Sequence, residues 1–353
     1  MNAKNTEPAA QTPKSANANA GKIAKKGTAK TMKVAVISGG LTPEHDVSIA
    51  SGTRVANRLQ RAGIDVKVFE LGSSMLQQLL DWQPTVVWPL VHGSFGEDGT
   101  LQELLKLCGL AYLGTGPQGC RLSASKSVAK AVVAKNGLNT PAAVTLPQEL
   151  FRQLGTEKIL DRVETELGFP VMVKPQTGGS ALGISKVDTR ENLGRAMVNA
   201  FAYDTTVLVE RFIPGRELAV SIIEYDDIPK ALPVVEIHMD SGNYDYEARY
   251  TIGRSRLQAP AQLTADQLDA VENLAVSCHR VLELDQYSRI DIILDEGDTP
   301  WFIDANVAPG MTDTSLFPAA ADAQEGRSFQ DEVMHLVSLV DAKGPAEATD
   351  PNQ

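Results

Sequence analysis

The first part of the chain alternates apolar runs with one amphipathic segment. Residues 33–40, "KVAVISGG", and residues 85–93, "TVVWPLVHG", are nearly continuous apolar runs that end at glycine, which is typical of buried strands. Between them, residues 45–63 carry apolar side chains at helical spacing, and residues 65–71 alternate as a strand does. This strand–helix–strand order predicts an α/β domain with a parallel sheet. Ligands of such a sheet lie beyond the carboxyl ends of its strands.

The rest of the chain favours antiparallel sheet with flanking helices. Residues 123–146 are predicted to form a helix, stopped by a glycine, and then an extended segment. Three stretches have the pattern of two strands joined by a turn, and an amphipathic helix closes the folded part. The three stretches are 169–187, 206–224 and 286–307, and the helix is 328–342.

Charge is spread unevenly along the chain. The net charge is −11, but the first 31 residues hold six lysines and one glutamate and few large apolar side chains. We expect this segment to be a disordered tail, because it cannot bury enough apolar surface to offset the entropy of ordering. The remaining acidic body argues against nucleic acid as the main partner.

The cysteine content and the apolar runs also indicate where in the cell the protein is expected. Three cysteines, an odd number without metal-type spacing, indicate a reduced, cytoplasmic protein; they are Cys108, Cys120 and Cys278. No apolar run approaches the roughly 18 residues that a membrane span needs, so no membrane partner is expected.

A glycine-rich loop follows Lys174. The segment "PQTGGSALG", residues 175–183, has enough glycine for its backbone amides to line a phosphate, with the lysine supplying a positive charge. It is not a Walker loop, because no Gly-Lys-Ser/Thr is present, and "ISGG" lacks the Gly-x-Gly-x-x-Gly of a dinucleotide site. From these residues alone, phosphate binding and an ordinary turn both remain open.

Acidic and amide side chains interrupt the apolar pattern of the last predicted hairpin. Side chains two residues apart on a strand face the same side, so Arg289 shares a face with Asp291, and Asp304 with Asn306. If the two strands are neighbours, the two acids and the amide converge. Three such oxygen ligands suit Mg²⁺, and burying acids without a partner is costly. A single aspartate here would instead be read as a solvated edge residue.

Taken in order, these motifs resemble those of the D-alanine–D-alanine ligases of the ATP-grasp superfamily. The resemblance covers residues 33 to about 341. It rests on seven segments: "GGLTPEHDVSIASG", "HGSFGEDGTLQ", "VKPQTGGSALGISKV", "VERFIPGRELAV", "YDYEARY", "RIDIIL" and "DANVAPGMTDTSL".

The resemblance implies an α/β fold of the ATP-grasp type. An amino-terminal Rossmann-like domain with a parallel sheet would be followed by two α+β subdomains that clasp ATP. The implied divisions are a tail at 1–31, the amino-terminal substrate domain at 32–118, the central subdomain at 119–212, the carboxy-terminal catalytic subdomain at 213–342, and a second tail at 343–353.

The implied activity joins two D-alanine molecules for peptidoglycan precursor synthesis. ATP would phosphorylate the carboxylate of the first D-alanine, and the amine of the second would then attack the acyl phosphate. ATP and two Mg²⁺ ions, with Mn²⁺ as an alternative, are the implied cofactors. A homodimer formed through the amino-terminal domain is the implied assembly.

The resemblance also assigns roles on the nucleotide side of the site. By motif, residues of this chain would bind the ATP phosphates, the adenine, the ribose and the metals. These are Lys126, Lys174 and Arg249 for the phosphates, Glu210 and Ile213 for the adenine, Glu217 for the ribose, and Asp291, Asp304 and Asn306 for the metals.

A second set of residues is assigned to the reacting groups. Arg289 and the Gly310 N–H would stabilise the oxyanion of the tetrahedral intermediate. Glu44 would pair with the first ammonium, and the second carboxylate would be bound near the start of a helix. The remaining assignments are Ser180 and Tyr250 in a hydrogen-bonded trio with Glu44, His92 and Glu97 orienting Glu44, and Ser315 with the Leu316 amide at the second carboxylate.

Tyr250 and Leu316 favour D-alanine as second substrate, since relatives that use D-lactate carry histidine at the first of these positions and tend to differ at the second. Four departures keep alternatives open: Asp304 stands where the family usually has Glu, Arg249 where it has Lys, Ala181 where a second Ser is common, and "NVAPG" where Asn-Thr-x-Pro-Gly is usual. The alternatives are a paralogous ligase using D-lactate, D-serine or another amino acid, and a nucleotide-binding pseudoenzyme. A dehydrogenase built on "VAVISGG" is disfavoured by the missing dinucleotide fingerprint.

Overall fold

The structure, a computed structural model, describes residues 32–179, 181–239 and 255–343. The tail at 1–31 and the segment at 344–353 lie outside the described residues, so the two predicted tails stay predictions. No helix in the described part of the chain is long and apolar enough to cross a membrane.

A three-stranded parallel sheet forms the amino-terminal part. Strand β1 (Lys33–Ser38) lies between β2 (Asp65–Glu70) and β3 (Val86–Pro89), and α1 (His45–Arg61) connects the first two strands. The predicted strand–helix–strand order is therefore confirmed. The other helices of this part are α2 (Met75–Trp82), α3 (Ser94–Glu97), α4 (Thr100–Leu107) and α5 (Pro117–Ala124).

A four-stranded antiparallel sheet follows, in the order β4-β7-β5-β6. Helices on it bury apolar side chains such as Leu160 and Leu193 against the central strands. The strands are β4 (Ala143–Pro147), β5 (Val171–Pro175), β6 (Ser185–Val187) and β7 (Thr206–Arg211). The helices are α6 (Lys126–Lys135), α7 (Gln148–Leu154), α8 (Glu157–Leu167) and α9 (Arg190–Phe201).

The third sheet is antiparallel and centred on β8 (Gly215–Tyr225). Its order is β11-β10-β8-β12-β13, and β9 pairs with β8. The other strands are β9 (Ile228–Ala231), β10 (Val235–Met239), β11 (Ser255–Gln258), β12 (Tyr287–Asp295) and β13 (Pro300–Asn306). The helices are α10 (Ala265–Val281), α11 (Leu316–Asp322) and α12 (Phe329–Lys343).

The parallel sheet and the third sheet share one hydrophobic core. Trp88 of β3 donates a hydrogen bond from Nε1 to the Tyr287 hydroxyl of β12 at 3.0 Å, and both side chains are buried. Phe317 and Phe329, from the last two helices, complete this core. The contact fixes the carboxyl end of β3 close to β12, although the predicted domain boundaries at residues 118 and 212 stay predictions.

The predicted helix at 123–137 is divided in two. Helix α5 ends at Ala124, Ser125 is extended (φ −97°, ψ 105°), and α6 begins at Lys126. Gln176, which follows β5, stabilises the break between the two helices. Its carbonyl accepts a hydrogen bond from Lys126 N at 3.1 Å, and its side chain donates to the Ser125 hydroxyl at 2.7 Å. These long-range contacts override the local helical preference.

Candidate functional site

The hairpin of β12 and β13 brings the predicted metal residues together. Asp291 lies directly opposite Asp304, and Arg289 lies opposite Asn306. The Asn306 amide donates from Nδ2 to Asp291 Oδ2 at 3.4 Å. The predicted pairing of the two strands is therefore confirmed.

A β-bulge at Ile303 decides which side chains of β13 face the site. The register passes from Asp291 opposite Asp304 to Ile292 opposite Phe302, so Ile303 is the extra residue. Regular alternation would place Phe302 on the same face as Asp304. Instead, Phe302 is fully buried in the core, while Ile303 and Asp304 both line the cleft above the sheet.

This larger cleft, about 910 Å³, lies between the second and third sheets. Apolar side chains line most of it, and charged groups line the rest. A mostly apolar slot that ends in lysines and acids suits a flat heterocycle with attached phosphates. The apolar lining includes Met172, Ile184, Phe212, Ile213, Leu218, Ile237, Ile292 and Ile303, and the charged lining includes Lys126, Lys174, Glu210, Glu217, Asp291 and Asp304.

At the base of this cleft, the buried carboxylate of Glu210 pairs with two lysines. One oxygen contacts Lys174 Nζ, and the other lies 2.6 Å from Lys130 Nζ. Burial alone would raise the pKa of Glu210, but the charges of Lys174 and Lys130 outweigh it and hold that pKa at about 2. Glu210 and Lys174 both line the cleft, whereas Lys130 is buried, and burial lowers its pKa.

Lys130 was missed by the sequence analysis. It lies four residues after Lys126 on α6 and therefore on the same helix face, which is the signal that could have identified it. Its Nζ also donates to the Thr140 hydroxyl at 2.9 Å.

Lys130→Met should lower the free energy of unfolding by about 3 kcal/mol, because a buried carboxylate loses one of its partners. In the native chain, the ion pairs of Glu210 contribute their full stabilisation of the folded state above about pH 4.5. This contribution is lost as the pH falls towards about 2. Removing one cation raises the pKa of Glu210 in the folded state, so the loss of stability below about pH 4.5 should be smaller and should be complete at a higher pH. Urea unfolding between pH 3 and 7 measures both effects. Lys135→Met, on the exposed face of α6, is the control, and an equal acid profile for both variants would contradict the assignment.

Lys126 joins the glycine-rich loop to β13. Its Nζ donates to the Gly178 carbonyl at 2.7 Å and lies 2.9 Å from Asp304 Oδ2. Gly178 has a positive φ of 91°, a conformation that favours glycine. The predicted lysine, loop and metal residue are therefore in direct contact.

A smaller cleft, about 530 Å³, adjoins the larger one across the β12–β13 hairpin. Arg289 lies at its base, where its Nε and Nη2 donate to the two carboxylate oxygens of Asp291 at 2.7 and 3.0 Å. Most of the residues assigned to the reacting groups line this cleft: Glu44, His92, Glu97, Arg289, Gly310, Ser315 and Leu316, together with Asn306 of the metal set.

Glu44 and His92 line this cleft from the amino-terminal domain. Glu44 is buried at the start of α1. His92 Nε2 lies 3.2 Å from the Ser51 hydroxyl, and its Nδ1 lies 3.8 Å from Glu97 Oε1. The predicted partners of Glu44, Ser180 and Tyr250, lie outside the described residues, as does Arg249, so their roles stay predictions.

The loop at 310–315 closes the smaller cleft. A Cβ added at Gly310 would lie 2.8 Å from Ser315 Oγ, so the two residues are in close contact. Ser315 Oγ accepts from Thr312 N at 3.0 Å, and Ser315 occupies the N-cap position of α11, whose first residue is the buried Leu316. Gly310, Ser315 and Leu316 therefore line the same small cleft.

The donor set on the hairpin fits Mg²⁺ better than a transition metal. No cluster of three His, Cys, Asp or Glu side chains that could hold a metal is found in the part of the chain that the structure describes. Two carboxylates and one amide oxygen, completed by water and phosphate oxygens, match the preferences of Mg²⁺.

The comparisons with known proteins agree with this geometry. A family model described as "D-ala D-ala ligase C-terminus" matches residues 132–338. A D-alanine–D-alanine ligase from Bordetella petrii is 39% identical over 306 residues, which cover 87% of this chain and 91% of the relative. The chain belongs to the D-alanine–D-alanine ligase family. A second member of the family, from Nitrosomonas europaea, is 38% identical over 308 residues, covering 87% of this chain and 96% of the relative.

Solved structures of this family have the same fold. The D-alanine–D-alanine ligase from Bacillus anthracis superposes with a TM-score of 0.74 at 25% identity, covering 88% of this chain and 98% of that one. A D-Ala:D-Ser ligase from Enterococcus faecalis gives a TM-score of 0.76 at 26% identity, covering 88% and 100%. The predicted α/β ATP-grasp fold is confirmed.

Proposed function

We propose that the chain is an ATP-dependent ligase that joins two D-alanine molecules for peptidoglycan precursor synthesis. One observation carries the proposal: a phosphate-suited cleft and a small polar cleft meet at a single hairpin, in a chain of the D-alanine–D-alanine ligase family. Such an arrangement suits activation of a carboxylate by ATP and transfer of the activated acyl group next to it.

The larger cleft is proposed to bind ATP. The adenine would lie in the apolar part near Ile213 and Glu210, the ribose near Glu217, and the phosphates near Lys126 and Lys174. Asp291, Asp304 and Asn306 would hold two Mg²⁺ ions, with Mn²⁺ as an alternative, and bound ions would neutralise charge on the transferring phosphoryl group. Lys126 and Lys174, two lysines that line this cleft, support the placement of the phosphates.

The smaller cleft is proposed to hold the two D-alanines. Glu44 would pair with the ammonium of the first, whose carboxylate attacks the γ-phosphorus of ATP to give D-alanyl phosphate and ADP. Ser315 and the Leu316 amide would bind the carboxylate of the second. Its free amine would then attack the acyl carbon, forming the C–N bond and an oxyanion.

Arg289 and the Gly310 N–H would stabilise that oxyanion. Collapse of the tetrahedral intermediate breaks the acyl C–O bond and releases inorganic phosphate, and the attacking nitrogen loses a proton. The loop amide and the buried guanidinium are fixed before the reaction, so little reorganisation is needed when the charge develops.

D-alanine is proposed as the second substrate rather than D-lactate or D-serine. Leu316 is buried at the smaller cleft, as the family motif for D-alanine expects. Two relatives at 38–39% identity also carry the name D-alanine–D-alanine ligase.

A homodimer formed through the amino-terminal domain is also proposed, as is a cytoplasmic location, where ATP is available. The three cysteines are free thiols, which suits a reducing compartment. Light scattering of the purified chain should give twice the chain mass of 37.9 kDa, and a mass of one chain at micromolar concentration would overturn the dimer.

Incubation of the full chain with ATP, Mg²⁺ and D-alanine should release one phosphate for each dipeptide formed. Phosphate release and chromatography of the product measure the two quantities, and parallel reactions add D-lactate or D-serine as the second substrate. We expect the dipeptide of D-alanine to dominate. A dominant ester or mixed dipeptide would identify the paralogous ligase, and nucleotide binding without any product would identify a pseudoenzyme.

A further inference from the structure

Arg54 of α1 is bound to the loop at 310–315. Its Nη1 donates to two successive backbone carbonyls, those of Met311 at 3.0 Å and Thr312 at 3.1 Å. Its Nε lies 2.8 Å from the carboxylate of Asp313. One side chain of the amino-terminal domain therefore contacts three consecutive residues of a loop that is more than 250 positions away in sequence.

A second residue of α1 binds the same loop one turn earlier. Ser51 Oγ accepts a hydrogen bond from Met311 N at 3.0 Å, so both backbone groups of Met311 are bound to α1. Ser51 is fully buried, and His92 lies against the same hydroxyl. The backbone between Gly310 and Ser315 is thus held from outside as well as by its own Thr312–Ser315 hydrogen bond.

The guanidinium of Arg54 is itself held in place. It lies 4.6 Å from the centre of the Phe329 ring, which is fully buried, and its side chain is only 19% exposed. Asp313 is 88% exposed, so the ion pair alone contributes little. The hydrogen bonds to the two carbonyls, made by a partly buried charged donor, are the stronger contacts.

We propose that Arg54 is a positioning residue for the second-substrate site. By fixing the backbone at Met311 and Thr312, it sets where the Gly310 amide and the Ser315 hydroxyl lie across the smaller cleft. This inference rests on the proposed function, because it assigns the loop to binding the second D-alanine. The nucleotide cleft contains no part of this loop, so loosening the loop should affect the second D-alanine and leave ATP binding unchanged.

Steady-state kinetics of the full chain with Arg54→Ala tests the proposal. We expect the KM for the second D-alanine to rise about ten-fold, as loss of charged hydrogen bonds at a binding loop would give. The KM for ATP should stay within about two-fold of the native value. Arg54→Lys should recover part of the loss, since an ammonium can still donate to a carbonyl but lacks the planar fork. Asp313→Ala should change little.

Arg58→Ala is the matched control. Arg58 lies one turn later on α1 and also stacks over Phe329, at 5.5 Å, and among the described residues its side chain forms no hydrogen bond or ion pair with residues 310–315. Equal effects of Arg54→Ala and Arg58→Ala, or an equal rise in both KM values, would overturn the proposal. If Arg54→Ala does not fold, Arg54→Lys carries the same comparison.

Hydrogen exchange separates this inference from the proposed function. Without any substrate, backbone amides at 311–315 should exchange faster in Arg54→Ala than in the native chain or in Arg58→Ala. Unchanged exchange would overturn the anchoring itself. Absence of dipeptide from the native chain would instead overturn the proposed function, whatever the exchange result.

Discussion

Arg289→Ala is expected to lower kcat by about 10²- to 10³-fold while ATP affinity stays within a few-fold of the native value. Arg289 is 7% exposed at the base of the smaller cleft, and its guanidinium donates two hydrogen bonds to the Asp291 carboxylate, which fix its direction. In the proposed mechanism its charge is needed when the oxyanion develops and not when the nucleotide binds. Single-turnover kinetics and calorimetric titration with ATP measure the two quantities separately.

Arg289→Lys provides the conservative comparison. Lysine keeps the positive charge but cannot form both hydrogen bonds with Asp291, so we expect turnover between those of the native chain and the alanine variant. Loss of ATP binding together with substantial remaining turnover would show that Arg289 serves the nucleotide and that its assignment to the oxyanion is wrong.

Asp304→Ala should reduce turnover by about two orders of magnitude or more and raise the Mg²⁺ concentration needed for half-maximal rate. Two effects act together. The hairpin loses one of its two opposed carboxylates, and Lys126 loses the partner that lies 2.9 Å from its ammonium group. Titration of the initial rate with Mg²⁺ at saturating ATP measures the change.

The comparison between Asp304→Glu and Glu296→Ala makes this test specific. Glutamate restores the carboxylate with one more methylene, so we expect most of the turnover to return. Glu296 is an exposed acid in the turn of the same hairpin, and removing it changes the net charge equally without affecting the site. An unchanged Mg²⁺ requirement in Asp304→Ala would mean that the metal is held elsewhere.

The position of Asp304 on the hairpin also helps to explain why its side chain is one methylene shorter than the expected glutamate. Directly opposed residues of an antiparallel pair have Cβ atoms about 4.5–5.5 Å apart, so Asp291 and Asp304 are as close as two strands allow. At this spacing two short carboxylates can share a ligand. A short carboxylate therefore suffices at position 304, where the family resemblance predicts a glutamate.

Much of the fold could be predicted from local pattern. The apolar run from Lys33 and the amphipathic segment from His45 gave the parallel sheet and its helix, because hydrophobic periodicity follows secondary structure directly. The alternation at Asp304 and Asn306 gave the direction of both side chains, since residues two apart on a strand share a face.

The sequence by itself determined which residues are predicted to carry the chemistry and in what order they occur, since motif, periodicity and turn signals are all local. Tertiary structure decided the rest. Four features depend on partners that are remote in sequence. They are the bulge at Ile303, the helix break at Ser125, the ion pair of Lys130 with Glu210, and the hydrogen bonds of Arg54 to the 310–315 loop. The free energy of such contacts arises only when the chain has folded, and no local pattern encodes it.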